Sequence, residues 1–163
     1  MRSKIRSWNH DFCCLHCGYP VSANSILSAV GHRNHCPYCL WSRHLDLLVS
    51  GDRLSACKGP MRPLGLTFKR ANKKYDQLGS GEIMLVHICT DCGRISLNRI
   101  AADDDVDCLL ETFERSLGLD LSTRSNLERS GIQLSNVMDE DSVCLALLGR
   151  SSRVETGLEL QSL

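Results

Sequence analysis

The pattern of apolar and polar positions changes character once along the chain. Over the first hundred residues, apolar residues come in short bursts broken by Gly, Pro and paired Cys, a texture that suits hairpins and turns better than long helices. Ile83 to Ile88 (IMLVHI) predicts a strand and Arg94 to Arg99 (RISLNR) a second, with Cys89-Thr90-Asp91-Cys92-Gly93 as the turn between them. Leu64 to Lys69 (LGLTFK) predicts a third strand, and the polar, glycine-flanked stretch from Ala71 to Gly81 an exposed loop. Beyond Ala102 the period lengthens. Val106, Leu109, Leu110, Phe113 and Leu117 recur on one helical face. Asp103, Asp104 and Asp105 precede them as carboxylates suited to the positive end of a helix dipole, and Gly118 supplies a stop. Weaker helices are predicted over 123–130 and 140–148, and a frayed tail over the last dozen residues. No solenoid repeat is present, only a loose doubling of the cysteine turn.

Composition changes this picture in one respect. Hydrophobic residues make up 42% of the 163, but Phe, Trp and Tyr only 5%, so the core lacks large rings and something else must help hold it. Ten cysteines are the candidate. The opening MRSKIRSWNHDF is basic with no apolar run behind it, which predicts no secretory leader and a cytoplasmic chain. Nor does any segment approach the roughly 18 apolar residues of a membrane span, so no membrane partner is expected. Thiols in a reducing compartment point to metal before disulfides.

Cys14-Leu15-His16-Cys17-Gly18 is followed, after an interval of 18 residues, by Cys36-Pro37-Tyr38-Cys39. Two C-x-x-C turns at this separation fit the ligand pattern of a zinc ribbon. Each tight turn brings two sulfurs to one point, and two such turns face to face complete a tetrahedron. Cys89-x-x-Cys92-Gly93 repeats the turn, with Cys57 near Gly59 as a third ligand, and predicts a second site. Its fourth ligand is His44 or His87. His87 shares a strand face with Cys89 but lies very near it, whereas His44 approaches from a separate segment. Cys13, Cys108 and Cys144 read as ordinary small apolar residues. The chain is therefore predicted to be a small α+β protein: zinc-ribbon-like hairpins with two zinc ions over residues 8–102, an acidic helical extension over 103–150, and a tail over 151–163.

Arg33-Asn34-His35-Cys36-Pro37 is the string for which the RNHCP domain family is named, and the chain resembles that family further. The resemblance continues through Tyr38-Cys39-Leu40, Ser42, His44, Asp46, Gly51-Asp52-Arg53, Cys57, Gly59, Met61 and Pro63. It resumes at His87, Cys89, Cys92 and Gly93 and ends near Asn98-Arg99 and Ala101-Ala102-Asp103-Asp104, spanning roughly residues 12 to 105. What the resemblance implies is a compact domain, with no activity attached to it.

Several chemistries lack their residues. No His is followed two positions on by Glu, as a zinc deaminase requires, and no H-E-x-x-H, Walker loop or G-x-S-x-G occurs. A fully protein-ligated ion leaves no position for substrate water, so no enzyme and no small-molecule substrate are expected. Cys-Pro-Tyr-Cys also opens a glutaredoxin helix, but the βαβ frame is missing. A rubredoxin-like iron site with electron transfer is a remoter alternative.

Charge divides the chain. Residues 1–100 carry 14 Lys/Arg against 6 Asp/Glu, and residues 101–163 carry 5 against 13. All six histidines and eight of the ten cysteines lie in the basic part. Two such zinc centres lower its surplus from eight to about five. The leading expectation is binding of RNA or an RNA–protein assembly through Arg33, Arg43, Lys69, Arg70, Lys73, Lys74, Arg94 and Arg99, with Trp41 stacking on a base. The alternative is a protein-interaction adaptor. In it, the acidic segment folds back over the basic half and masks it, so that removing residues beyond Asp105 would raise RNA affinity, or it docks a separate basic partner such as a ribosomal or transcription component.

Overall fold

The structure, a computed structural model, describes residues 10–69 and 81–151. Two antiparallel sheets form. The smaller pairs β1 (Phe12–Cys13) with β2 (Pro20–Val21). The larger contains β3 (Ser42–Arg43), β4 (Pro60–Lys69), β5 (Glu82–Cys89) and β6 (Ile95–Arg99) in the order β3-β4-β5-β6. The three strands expected from the sequence are β4, β5 and β6. β4 begins earlier than its apolar run, because Pro60 and Pro63 disguise its start, and its register with β5 shifts between Pro63 and Gly65. The loop expected over 71–81 lies, apart from Gly81, outside the described residues, as do Arg70, Lys73, Lys74 and the tail from 152 onward.

The helices are α1 (Ser25–Ser28), α2 (Val106–Leu117), α3 (Leu121–Arg129) and α4 (Glu140–Leu148), the last preceded by a 3-10 turn at Val137–Asp139. Asp105 caps α2 by accepting from the Cys108 N–H at 2.9 Å, and Asp120 caps α3 through Thr123 at the same distance.

Alternate residues of β5 serve opposite faces of the sheet. Leu85 packs with Leu66, Leu40, Leu109, Phe113 and Val143, while Val86 packs with Leu64, Leu127 and Leu134. Residues from the helices therefore sit in both apolar clusters. The boundary expected at residue 102 does not divide the core: the 103–150 segment completes it. Gly65 lets α2 come close to β4, since a Cβ there would lie 2.7 Å from the Cβ of Ser116 on α2.

Candidate metal centres

Three turns of the chain share one hydrogen-bond pattern. The N–H groups of Cys14, Cys36 and Cys89 donate to the carbonyls of Tyr19, Trp41 and Arg94 at 2.8, 2.9 and 2.8 Å. Four residues after each cysteine, the N–H groups of Gly18, Leu40 and Gly93 donate back to its carbonyl at 2.9, 2.9 and 3.0 Å. This turn closes on a residue with positive φ: +76° at Gly18, +62° at Leu40 and +74° at Gly93, with Lys58 after Cys57 at +55°. Glycine meets that demand without strain in two of them. Leu40 tolerates it because its fully buried side chain belongs to the main core. The doubling visible in the sequence is a threefold repeat of one knuckle.

The knuckles converge in two groups. Cys14, Cys17, Cys36 and Cys39 place their sulfurs within 4.8 Å of one another, and so do the ligand atoms of His44, Cys57, Cys89 and Cys92. Sulfur separations are 3.6 Å for Cys14–Cys39, Cys17–Cys36 and Cys57–Cys89. A disulfide would need about 2.05 Å. A tetrahedral ion with metal–sulfur bonds of about 2.3 Å sets its sulfurs about 3.8 Å apart, close to what is found. In the second group His44 presents Nδ1 to Cys92 Sγ at 3.3 Å. Burial pushes the Cys36 thiol up to about 11 and raises Cys39 as well, so ionised sulfurs at this place need a cation beside them. Two groups able to hold metal ions are thus built, one of four thiolates and one of three thiolates and an imidazole.

His87 is not a ligand. It shares the face of Cys89, as expected, but lies wholly within the core, where Nε2 donates to the Leu40 carbonyl at 2.7 Å and Nδ1 accepts from the Asn98 amide at 2.9 Å. Burial, reinforced by the nearby His35 ring, lowers it to about 3, so the ring is neutral. Because Leu40 sits in the left-handed region, the first knuckle pair turns a carbonyl toward β5, and His87 answers it. Replacing His44 by Ala is expected to leave one metal ion per chain. His87→Ala should keep two while costing about 1–3 kcal/mol of stability for the buried carbonyl it abandons. Metal analysis and thermal melts of the two variants check this pair of outcomes.

The signature string explains itself residue by residue. Arg33, 2% exposed, forms an ion pair with Asp103 at 2.8 Å and another with Asp104 at 3.2 Å, while its Nε donates to the His35 carbonyl. Asn34 donates to Asp46 at 3.0 Å and accepts from Arg53. His35 Nε2 donates to the buried Asp104 carboxylate at 2.8 Å. Cys36 belongs to the first group of four sulfurs, and the Pro37 carbonyl accepts from the Asp105 N–H at 2.9 Å. The string therefore ties the first metal group to the start of α2. Of the three acidic residues read as a dipole cap, only Asp105 caps. Asp104→Ala, which strands Arg33 and His35, is expected to cost about 3–5 kcal/mol, measurable by denaturant unfolding.

The remaining expected contact residues scatter. Arg33 is withdrawn from solvent, a correction to its expected role, because its charge is consumed inside the fold. Arg99 pairs with Glu82 on the surface at 2.8 Å. Lys69 is exposed, and Trp41 stacks on His16 with centroids 4.3 Å apart. Among the described ones, Arg43 and Arg94 line one cavity with Asn34, His44, Ser96 and Asn98, and Arg43 lines a second, smaller one with Trp41. Sequence reasoning missed those cavities and the roles of His35, Asp46 and Asp104. Their positions inside the string and its continuation were the available signal.

Hairpins joined by cysteine knuckles around two candidate metal groups, with helices closing the core, define a small α+β protein of zinc-ribbon-like type. The RNHCP domain family model matches residues 9–110, and the chain belongs to that family. No curated protein and no solved structure matches it. Among the described residues, no helix is long and apolar enough to cross a membrane.

Proposed function

We propose that both groups hold zinc in a structural role and that the protein is a non-enzymatic adaptor recognising another protein. Closed sets of four protein ligands support the structural role, since neither leaves a coordination position for substrate. One observation carries the partner class. The turn after His44 exposes Leu47, Leu48 and Val49 consecutively, Leu48 by 78% and Val49 by 66%, with Leu54 beside them at 65%. Such a cluster of apolar side chains marks an interaction surface when it is held rigid. It is held: Asp52 accepts from the N–H groups of Val49, Leu54, Leu47 and Leu48, which keep its carboxyl well below the usual range.

RNA is the second reading, favoured by Tyr19 and Tyr38. These half-exposed rings stand 4.7 Å apart beside the first metal group and offer a stacking surface. Complexes captured on the tagged full chain without crosslinking and washed in high salt, with and without ribonuclease, separate the readings. Adaptor function predicts a protein partner that survives both treatments and is lost in Leu48→Asp with two metal ions still bound. Release by ribonuclease or by salt alone would transfer the role to RNA, because phosphate contacts weaken steeply with salt.

A further inference from the structure

The two edges of the large sheet are finished differently. On the side away from β5, β4 is covered at both ends: β3 pairs with Pro60 and Met61, and the Ser135 N–H donates to the Leu66 carbonyl at 2.8 Å. β6 forms the other edge, and among the described residues no strand lies beyond it. Its pairing fixes which of its backbone groups are engaged. The Cys89 N–H donates to the Arg94 carbonyl, so these two residues are a hydrogen-bonded pair of the antiparallel ladder. Such pairs recur at every second position. His87 with Ser96 and Leu85 with Asn98 are the next two, which leaves the N–H and C=O groups of Ile95, Leu97 and Arg99 pointing away from β5. Among the described residues, no other main-chain group bonds to them.

An edge of this kind accepts a further strand unless something blocks it. The usual blocks are missing here. Ile95 to Asn98 include no Pro and no charged side chain, and no bulge interrupts their register with β5. These four residues are half-buried rather than sealed, and Arg99 is exposed. There is also room beside the edge. Ser96 and Asn98 line a cavity of about 220 Å³ with Leu47, Leu48 and Val49 of the exposed turn. Leu97, which packs with the opposite apolar cluster, lines another of about 540 Å³ with Ile132 and Leu134. Arg94, just before the strand, donates to the Leu47 carbonyl at 3.0 Å and ties the edge to the turn.

We infer that an extended segment of the partner protein adds to β6 as a fifth strand of the sheet. Its main chain bonds to the outward groups of Ile95, Leu97 and Arg99, and its side chains alternate between the two faces. Residues opposite Ile95 and Leu97 are apolar and extend the cluster those side chains belong to, while the residues between them lie on the side of the exposed turn. Continuity of the edge with that turn assigns the strand to the partner rather than to a second copy of this chain. The inference rests on the adaptor reading and names how that adaptor holds its partner.

The probe is a displayed library of random peptides selected on the metal-loaded full chain, the selected peptide then being synthesised and followed by NMR. Its binding should slow amide hydrogen exchange at Ile95, Leu97 and Arg99 by about tenfold or more, with the Ser96 and Asn98 amides little changed. Methylating the peptide's backbone nitrogens one at a time should weaken binding at every second position. Leu97→Pro removes an N–H that β5 does not use, so it should retain two metal ions yet bind the peptide about tenfold more weakly than Leu97→Ala. Should the proline variant fail to fold, the methylation series decides alone, since it leaves the protein unaltered. Failure to select a peptide, unchanged exchange at the three amides, or a methylation series without alternation would overturn the assignment. So would slowed exchange that grows with protein concentration alone, which marks a second copy. If Leu48→Asp still loses its protein partner while any of these holds, the strand assignment falls and the adaptor reading stands.

Discussion

A chain ending at Asp105 is expected to aggregate or remain unfolded, whatever metal is supplied. Truncation there removes Leu109, Phe113 and Val143 from one side of the sheet and Leu127 and Leu134 from the other. At about 1.5–3 kcal/mol for each buried side chain, the loss comes to about 7–15 kcal/mol. That equals the whole stability of a typical domain, about 5–15 kcal/mol. The acidic segment does reach back to the basic half through Asp103 and Asp104, but most of what it covers is apolar sheet. Unmasking an RNA surface by this cut is therefore not expected. Circular dichroism and size-exclusion chromatography read the outcome, and a soluble monomer with a cooperative melt would show that the helices are an appendage.

Cys36→Ser is expected to have an effect of comparable size. Cys36 is fully buried at the centre of the first metal group, where its neighbours Asn34, His35 and Pro37 anchor the turn after residue 43 and the start of α2. A serine hydroxyl does not ionise to replace the thiolate. Metal binding at such sites supplies on the order of 10 kcal/mol of folding free energy. The variant should hold at most one metal ion and lose its cooperative transition. Cys13→Ser is the control: Cys13 is exposed and outside both groups, so its change should leave the metal content at two and shift stability by less than about 0.5 kcal/mol. A soluble, native-like Cys36→Ser protein would contradict the dependence of the fold on metal.

Different parts of this architecture were legible in the sequence for different reasons. β4, β5 and β6 announce themselves as short apolar runs between turn residues, β4 and β5 being buried on both faces, and α2 by apolar residues recurring at the helical period. The ligand cysteines are legible because the knuckle is local, and its spacing is dictated by where a five-residue turn puts its sulfurs. β1, β2 and β3, two residues each, have no period to display; their pairings are set by the knuckles and their neighbours in the fold. Choosing between His44 and His87 was undetermined from strand parity alone. It is decided by a carbonyl on Leu40, whose left-handed backbone is invisible to a rule that expects glycine there. Arg33 looked like a surface cation because its partners stand 70 and 71 residues further on. The same distance concealed the helices' part in the core: a run of acidic residues suggested a separate segment, and charge said nothing about the apolar face behind it.

The claim on which the rest depends is that two metal ions staple the knuckles. Metal content per chain, taken on freshly purified full-length protein under reducing conditions together with zinc-edge X-ray absorption, tests it directly. The account predicts two zinc ions, one bound by four sulfurs and the other by three sulfurs and a histidine nitrogen. Folded protein carrying no metal, or a single ion, would contradict it.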